Sequence, residues 1–162
     1  MEVKEKLGVI KLYHHTSSQF FMEKIMKEGI INNDIDHDNS TCLTNDIFNS
    51  AARSEMAVDK GNKDKLNIMI TLVINAEMEK LNPLWEKSLD ETEECLSNKP
   101  ISIDSIEKVL FQFIETEAYN DKKFHKEYEK FEEFLRKYIK EELSVKEAYE
   151  GLLKAQEEYD KI

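Results

Sequence analysis

The spacing of apolar positions changes along this chain, and each change predicts an element. Val9 to Tyr13 is a short apolar run with β-branched content, which predicts a strand. Ser17 or Ser18 then offers an N-cap for a helix carrying Phe21, Ile25 and Met26, with Gly29 as its stop. Ile30 to Asn39 is polar and turn-rich. Thr41 to Thr44 predicts a second short strand, and Asn49 to Asp59 a helix ending before Gly61. Leu66 to Ile74 predicts the strongest strand, carried by Ile68, Met69, Ile70, Leu72, Val73 and Ile74. Lys80 to Glu94 fits neither period cleanly. Ser105 to Phe113, with Ile106, Val109, Leu110 and Phe111, fits strand or helix.

The last forty residues keep one period. Phe124, Tyr128, Phe131, Leu135 and Tyr138 recur at spacings of 4, 3, 4 and 3, a single helical stripe. Ser144 followed by Glu147 is a capping-box pattern. It opens a second helix with Val145, Ala148, Tyr149, Leu152 and Leu153 on its apolar face. The two predict a C-terminal amphipathic hairpin over 121–162, joined near Glu142 to Ser144. It would pack on a mixed domain over 1–120, or serve as a dock for a protein partner or a second copy. Strands scattered among helices, without strict alternation, predict an α+β fold.

Composition narrows the class. At 162 residues the chain suits one domain, or one domain with a helical appendix. No run approaches the ~18 apolar residues of a membrane span. The charged stretch Met1 to Lys6 leads into no signal-like block, so a cytoplasmic protein without a membrane partner is expected. Cys42 and Cys95 cannot make a disulfide framework or a four-thiolate zinc site. Against 23 Lys and Arg stand 34 Asp and Glu, a net charge of −11. Residues 121–162 hold 10 basic and 12 acidic side chains, and residues 1–120 hold 13 and 22. The acidity therefore belongs mainly to the first segment, and overall attraction to a phosphate backbone is not expected. Only Arg53 and Arg136 are arginines, which nearly excludes a multi-arginine phosphate grip.

Three constellations could carry chemistry. Leu12-Tyr13-His14-His15-Thr16-Ser17 ends a strand in two imidazoles and two hydroxyls, just before a helix N-terminus. On a strand the two histidines point to opposite faces, so one at most faces a given cleft. Asp34, Asp36 and Asp38 open like a calcium loop, but Asn39 and Asn45 stand where the turn glycine and bidentate acid belong. His14, His15 and His37 match no compact zinc spacing, so no metal is expected. Glu91-Thr92-Glu93-Glu94 places carboxylates where one could steady positive charge on a sugar carbon, and Glu115-Thr116-Glu117 is a second such run. Four glycines cannot build a P-loop or a Rossmann fingerprint. A dyad of Cys42 or Cys95 with His14 has no local signature.

In order, these pieces resemble the ADP-ribosyltransferase superfamily, in its bacterial toxin-like branch. The opening Leu12-Tyr13-His14-His15-Thr16-Ser17, helix, Gly29-Ile30 is similar to that family's Leu-Tyr-His-Gly-Thr-Ser, helix, Gly-Ile. Cys42-Leu43-Thr44 with Ala51-Ala52-Arg53 and Ala57 resembles its Leu-Thr … Ala segment. Ile68 to Ile74 and then Glu79 to Leu84 resemble its central strand and the turn after it. Glu94-Cys95-Leu96, followed by Pro100-Ile101 through Val109, resembles its catalytic-glutamate strand. The resemblance covers about residues 8–113.

It implies a split, mixed or antiparallel sheet with flanking helices, and a mono-ADP-ribosyltransferase that uses NAD as its substrate. His14 would bond the nicotinamide-side ribose, and His15, Thr16, Ser17 and Thr44 would add contacts. Glu94 would orient the ribose and steady the oxocarbenium-like transition state. Arg53 would meet the pyrophosphate, or simply sit on a helix face. Two departures stand out: His15 replaces the usual glycine, and no tyrosine lies between Tyr13 and Tyr119, leaving Phe48 as the nearest stacking aromatic. Glu93 competes with Glu94, and an E-x-E pair could be sought at Glu91/Glu93 or Glu115/Glu117. The acceptor, protein, nucleic acid or nucleotide, is not given by the sequence. Two other readings follow from the departures and the charge. One is a protein of this fold that binds or hydrolyses NAD without transfer. The other is an acidic, non-enzymatic interaction or inhibitor protein.

Overall fold

The computed structural model describes residues 8–31, 41–47, 66–111, 122–124 and 127–162. In chain order they form β1 (Val9–Ser17), α1 (residues 18–28), β2 (Ile30–Ile31), β3 (Thr41–Thr44) and β4 (Met69–Glu77). Next come α2 (Trp85–Thr92), β5 (Glu94–Ser97), β6 (Ile101–Ser102) and β7 (Ile106–Phe111). α3 (Tyr128–Arg136), β8 (Glu142–Leu143) and α4 (Val145–Asp160) complete them. The fold is α+β. Six strands form one sheet in the order β5-β3-β1-β4-β7-β8, each neighbouring pair antiparallel, and β2 pairs with β6 in a separate ladder. The helix expected over Asn49 to Asp59, the acidic loop at Asp34 to Asp38 and the Glu115–Glu117 run lie outside the described residues.

β4 is central because its sequence has no polar face to give to water. Met69 to Ile74 are all buried, Thr71 included. Such a continuous run suits a strand covered on both faces. The strand starts later than Leu66 for a specific reason. Leu66 N donates to Gln156 Oε1 at 3.2 Å and Ile68 N to Ser18 Oγ at 3.0 Å. Side chains satisfy these backbone groups in place of a strand neighbour.

At the exit of β1, Ser17 is the N-cap: its Oγ accepts from Phe20 N at 3.1 Å. The middle of α1, Phe21–Ile25, is π-helical, and it buries Phe21, Met22 and Ile25 together. Gly29 ends the helix at φ 74°, a left-handed position that glycine adopts without strain. The ambiguous stretch after Lys80 holds α2. Leu89 is the one residue this short helix buries, which is why its periodicity is weak. Over its described residues, the Ser105–Phe113 alternative resolves as a strand, β7.

The C-terminal segment carries the capping box at Ser144 and Glu147 and its two helices. It is not held apart from the sheet. β8 pairs with β7 at Val109↔Leu143 and Leu110↔Glu142. Phe131, Leu135, Ile139, Ala148, Leu152, Ala155 and Tyr159 share one apolar cluster with Leu12, Ile70, Leu72 and Val109. The expected line at residue 120 therefore divides the sequence, while the apolar core runs across it. Leu153, expected on the inner face of α4, is exposed. The buried line is Ala148, Gly151, Leu152, Ala155 and Tyr159, set by small residues that let the helix come close.

Gly151 shows how close. A Cβ at this position would stand 2.6 Å from the Tyr138 carbonyl oxygen, a backbone atom that cannot swing aside. In an ordinary helix interior, Gly→Ala stabilises by about 1 kcal/mol. Here overpacking, roughly 1–3 kcal/mol, opposes that gain. Gly151→Ala is expected to lower stability by on the order of 1 kcal/mol, read as a lower urea midpoint at unchanged slope. A raised midpoint would show that the loop after α3 yields freely.

Candidate functional site

The residues singled out by sequence gather where β1, β3 and β5 run side by side. β1 is laddered to β4 along its whole length, from Val9↔Glu77 to Ser17↔Met69. With β3 it shares a single register pair, Tyr13↔Thr44. β3 in turn is fully paired to β5, from Thr41↔Ser97 to Thr44↔Glu94. Tyr13, Thr44 and Glu94 thus form one row across three strands. Directly opposite residues share a face and alternate positions change it.

This register corrects one expectation. The resemblance has His14 and Glu94 lining a single cleft, but β3 lies between their strands and they point to opposite faces. His14, with Leu12 and Thr16, is on the buried side and is 4% exposed. His15, half-buried, alternates with Tyr13 on the face that carries Glu94. Geometry keeps both rings near the same edge. His14 Nδ1 lies 2.9 Å from the Cys42 carbonyl oxygen. A carbonyl only accepts, so Nδ1 carries the proton and donates. The His14 and His15 centroids are 5.3 Å apart. Consecutive strand residues launch from opposite faces, so rings this close both lean toward β3.

Glu94 has a firmly held backbone. Its carbonyl oxygen accepts from Ser88 Oγ at 2.6 Å and Thr92 Oγ1 at 3.3 Å. Its side chain meets the floor of the site, where Cys42 Sγ donates to Oε2 at 3.9 Å. Sequence reasoning misses Ser88 and Thr92. They act through the helix preceding β5, and nothing in their local pattern marks them. Glu93 is different. It sits at φ 60° in the turn closing α2, before the strand begins. Its carboxyl is held above the usual carboxylate range, first by a hydrogen bond to Asp46, then by Asp46's charge. Glu91 belongs to α2 and faces Lys87 at 3.9 Å. Glu91 and Glu93 therefore do not alternate along a strand, as an E-x-E pair there requires. Of the two competing acids, Glu94 is the one on the sheet.

The hydroxyls have structural partners. Ser17 caps α1, Thr16 is buried opposite Ile70, and Thr44 Oγ1 donates to Glu93 O at 2.6 Å while accepting from Asp46 N at 3.1 Å. Thr44 thereby ties the exit of β3 to the turn that delivers Glu94. Phe48 and Arg53 lie outside the described residues. The cysteine dyad takes another form: His14 meets Cys42 at its carbonyl, and the Cys95 thiol is pushed up to about 12 by burial and by Cys42. A thiol in that state is a poor nucleophile. Among the described residues, no group of His, Cys, Asp and Glu is assembled to hold a metal ion. A recess of about 20 Å³ beside Ala76, Lys80, Ser97 and Ser105 includes none of the site residues. No helix described is long and apolar enough to cross a membrane.

The Glu93–Asp46 contact has a definite pH signature. A carboxyl whose pKa is higher folded than unfolded adds stability below its unfolded pKa. That contribution is lost as pH rises through the folded value. The amide introduced by Glu93→Gln would keep a donor toward Asp46 at every pH. Glu93→Gln is thus expected to be more stable than the parent at neutral pH, with the difference vanishing below the carboxylate range. Denaturation midpoints across that interval read it, and an unchanged difference at both ends would remove the hydrogen bond from the account.

Comparison with known proteins finds no matching family model, no matching curated protein and no matching solved structure.

Proposed function

We propose that the chain is a mono-ADP-ribosyltransferase that takes NAD as substrate and passes ADP-ribose to a macromolecular or nucleotide acceptor. One observation carries the reading: Glu94 on β5 and His15 on β1 share one face of the sheet across Cys42 and Thr44 of β3, where β1 and β3 have the register pair Tyr13↔Thr44. The resemblance of the Leu12–Ser17 and Glu94–Val109 segments supports it.

The chemistry asks for little more. As nicotinamide departs with the bonding electrons, positive charge builds on the ribosyl carbon. A carboxylate on a fixed backbone, such as Glu94, steadies that charge without reorganising. The acceptor then attacks from the face opposite the leaving group, helped chiefly by being held in place. A water acceptor would give hydrolysis by the same first step.

Labelled NAD and a cell lysate test the proposal. The full chain is expected to release nicotinamide and label an acceptor, and Glu94→Gln to reduce both by about 100- to 1,000-fold. Release without labelling would make the protein a hydrolase. Absence of NAD binding at millimolar ligand would leave the acidic interaction protein as the surviving account. Its partner would then be basic, with binding that weakens steeply with salt.

A further inference from the structure

We infer that His15, not His14, is the imidazole that works with Glu94, and that His14 is a positioning residue tying β1 to β3. The inference rests on the NAD reading above for the identity of the substrate, but the assignment of the two histidines comes from register. β1 carries nine consecutive pairs with β4 and no shift, so alternation along it is strict. Tyr13↔Thr44 and Thr44↔Glu94 place Tyr13 and Glu94 on one face, and His15, two residues from Tyr13, shares it. The strands of His15 and Glu94 are two spacings apart and the two residues are offset by two positions along them, so their backbones stand about 12 Å apart. That gap is too wide for a direct hydrogen bond between the side chains. It is wide enough for a ribose between them, over the floor formed by Cys42 and Thr44.

His14 has the opposite setting. Its ring is buried on the face of Leu12 and Thr16, and its Nδ1 proton is committed to the Cys42 carbonyl. That bond stands where backbone pairing between β1 and β3 is confined to one register position. It fixes the distance between the two strands, and with it the distance between His15 and the Cys42–Glu94 side of the site. The sequence position of His15, which takes the place of a glycine in the resembling pattern, then has a use. The extra side chain supplies the face that strand alternation denies to His14.

The test compares conservative and disruptive variants of both residues in the full chain, by nicotinamide release, NAD binding and thermal midpoint. His15→Ala is expected to cut release about 100-fold with the thermal midpoint unchanged. His14→Leu is expected to lower the midpoint and the release together. His14→Asn, whose amide N–H can reach the Cys42 carbonyl as Nδ1 does, is expected to recover most of both losses. Full release in His15→Ala together with a dead but stably folded His14→Asn would overturn the assignment while leaving the NAD reading intact. A parent chain that neither binds nor cleaves NAD would overturn the NAD reading itself. Even in that case, long-range nitrogen correlations read whether His14 carries its proton on Nδ1, and a proton on Nε2 alone would reject the tie.

Discussion

The unbroken ladder between β1 and β4 is the constraint from which the remaining geometry follows. Its nine pairs bind a strand with one buried side to a strand buried on both. A slip of one residue would bring Lys11 and His15 into the core and expel Leu12. Leu12 is fully buried and Lys11 exposed, so that alternative is strongly disfavoured. Fixing this register decides where Ser17 ends the strand and caps α1. It also decides where Ser18 bonds Ile68, and therefore where the π turn enters the core with Phe21 and Ile25. The C-terminal helices close the same core from the β7 side, with Tyr159 fully buried and Lys123 4.0 Å from its ring centroid.

The two neighbours of β1 are unequal, and the site lies on the weaker side. Toward β4 all nine residues of the strand hold a position in the ladder. Toward β3 the pairing concentrates at one position, and a side chain does part of the joining. A buried imidazole costs free energy unless its polar atoms are bonded, and a strand carbonyl near an incomplete ladder needs a donor. The His14–Cys42 contact serves the Nδ1 proton and the Cys42 carbonyl together. β3 is held from its other side by four pairs with β5 and by the Thr44 hydroxyl on the turn before it. β1 and β3 are thus each anchored on their far side, which keeps the junction between them fixed.

Local signals are readable from the chain because they act over a few residues. Gly29 as a helix stop, Ser17 as a cap and the Ser144–Glu147 box each need only neighbours within one turn. The buried run in β4 is equally legible, though its first residue is not. Leu66 and Ile68 take their partners from Gln156 and Ser18, 90 and 50 positions away in sequence. β8 is hidden for a related reason: two residues, Glu142 and Leu143, have no periodicity and become a strand only beside β7. At the site, residue types are legible and faces are not. That His14 and His15 must diverge follows from any strand. Which of them joins Glu94 depends on the register of β1 with β3 and of β3 with β5, a fact distributed over three separated segments.

Charge then limits how such a site could recognise an anion. By sequence the acidity is concentrated in residues 1–120, but the shared core makes the chain's −11 the property of one body. Many of its cations face acids at the surface, as Lys11 does Glu107 and Arg136 does Glu132 and Glu141. Such pairs contribute little to stability, yet they neutralise charge that would otherwise draw in a phosphate. Among the described residues, Glu93 and Asp46 lie in the turns beside Glu94, and they add no charge that would favour a pyrophosphate. Binding of a dinucleotide would have to rest on short-range, directional contacts at the junction between β1 and β3, where an imidazole donor counts for more than net charge. An imidazole can take this part in either protonation state, because at least one ring nitrogen always carries a proton. If the proposed dinucleotide binds, the demand for recognition falls on the histidine on Glu94's side of the sheet, since directional donors can hold an anion where net charge cannot.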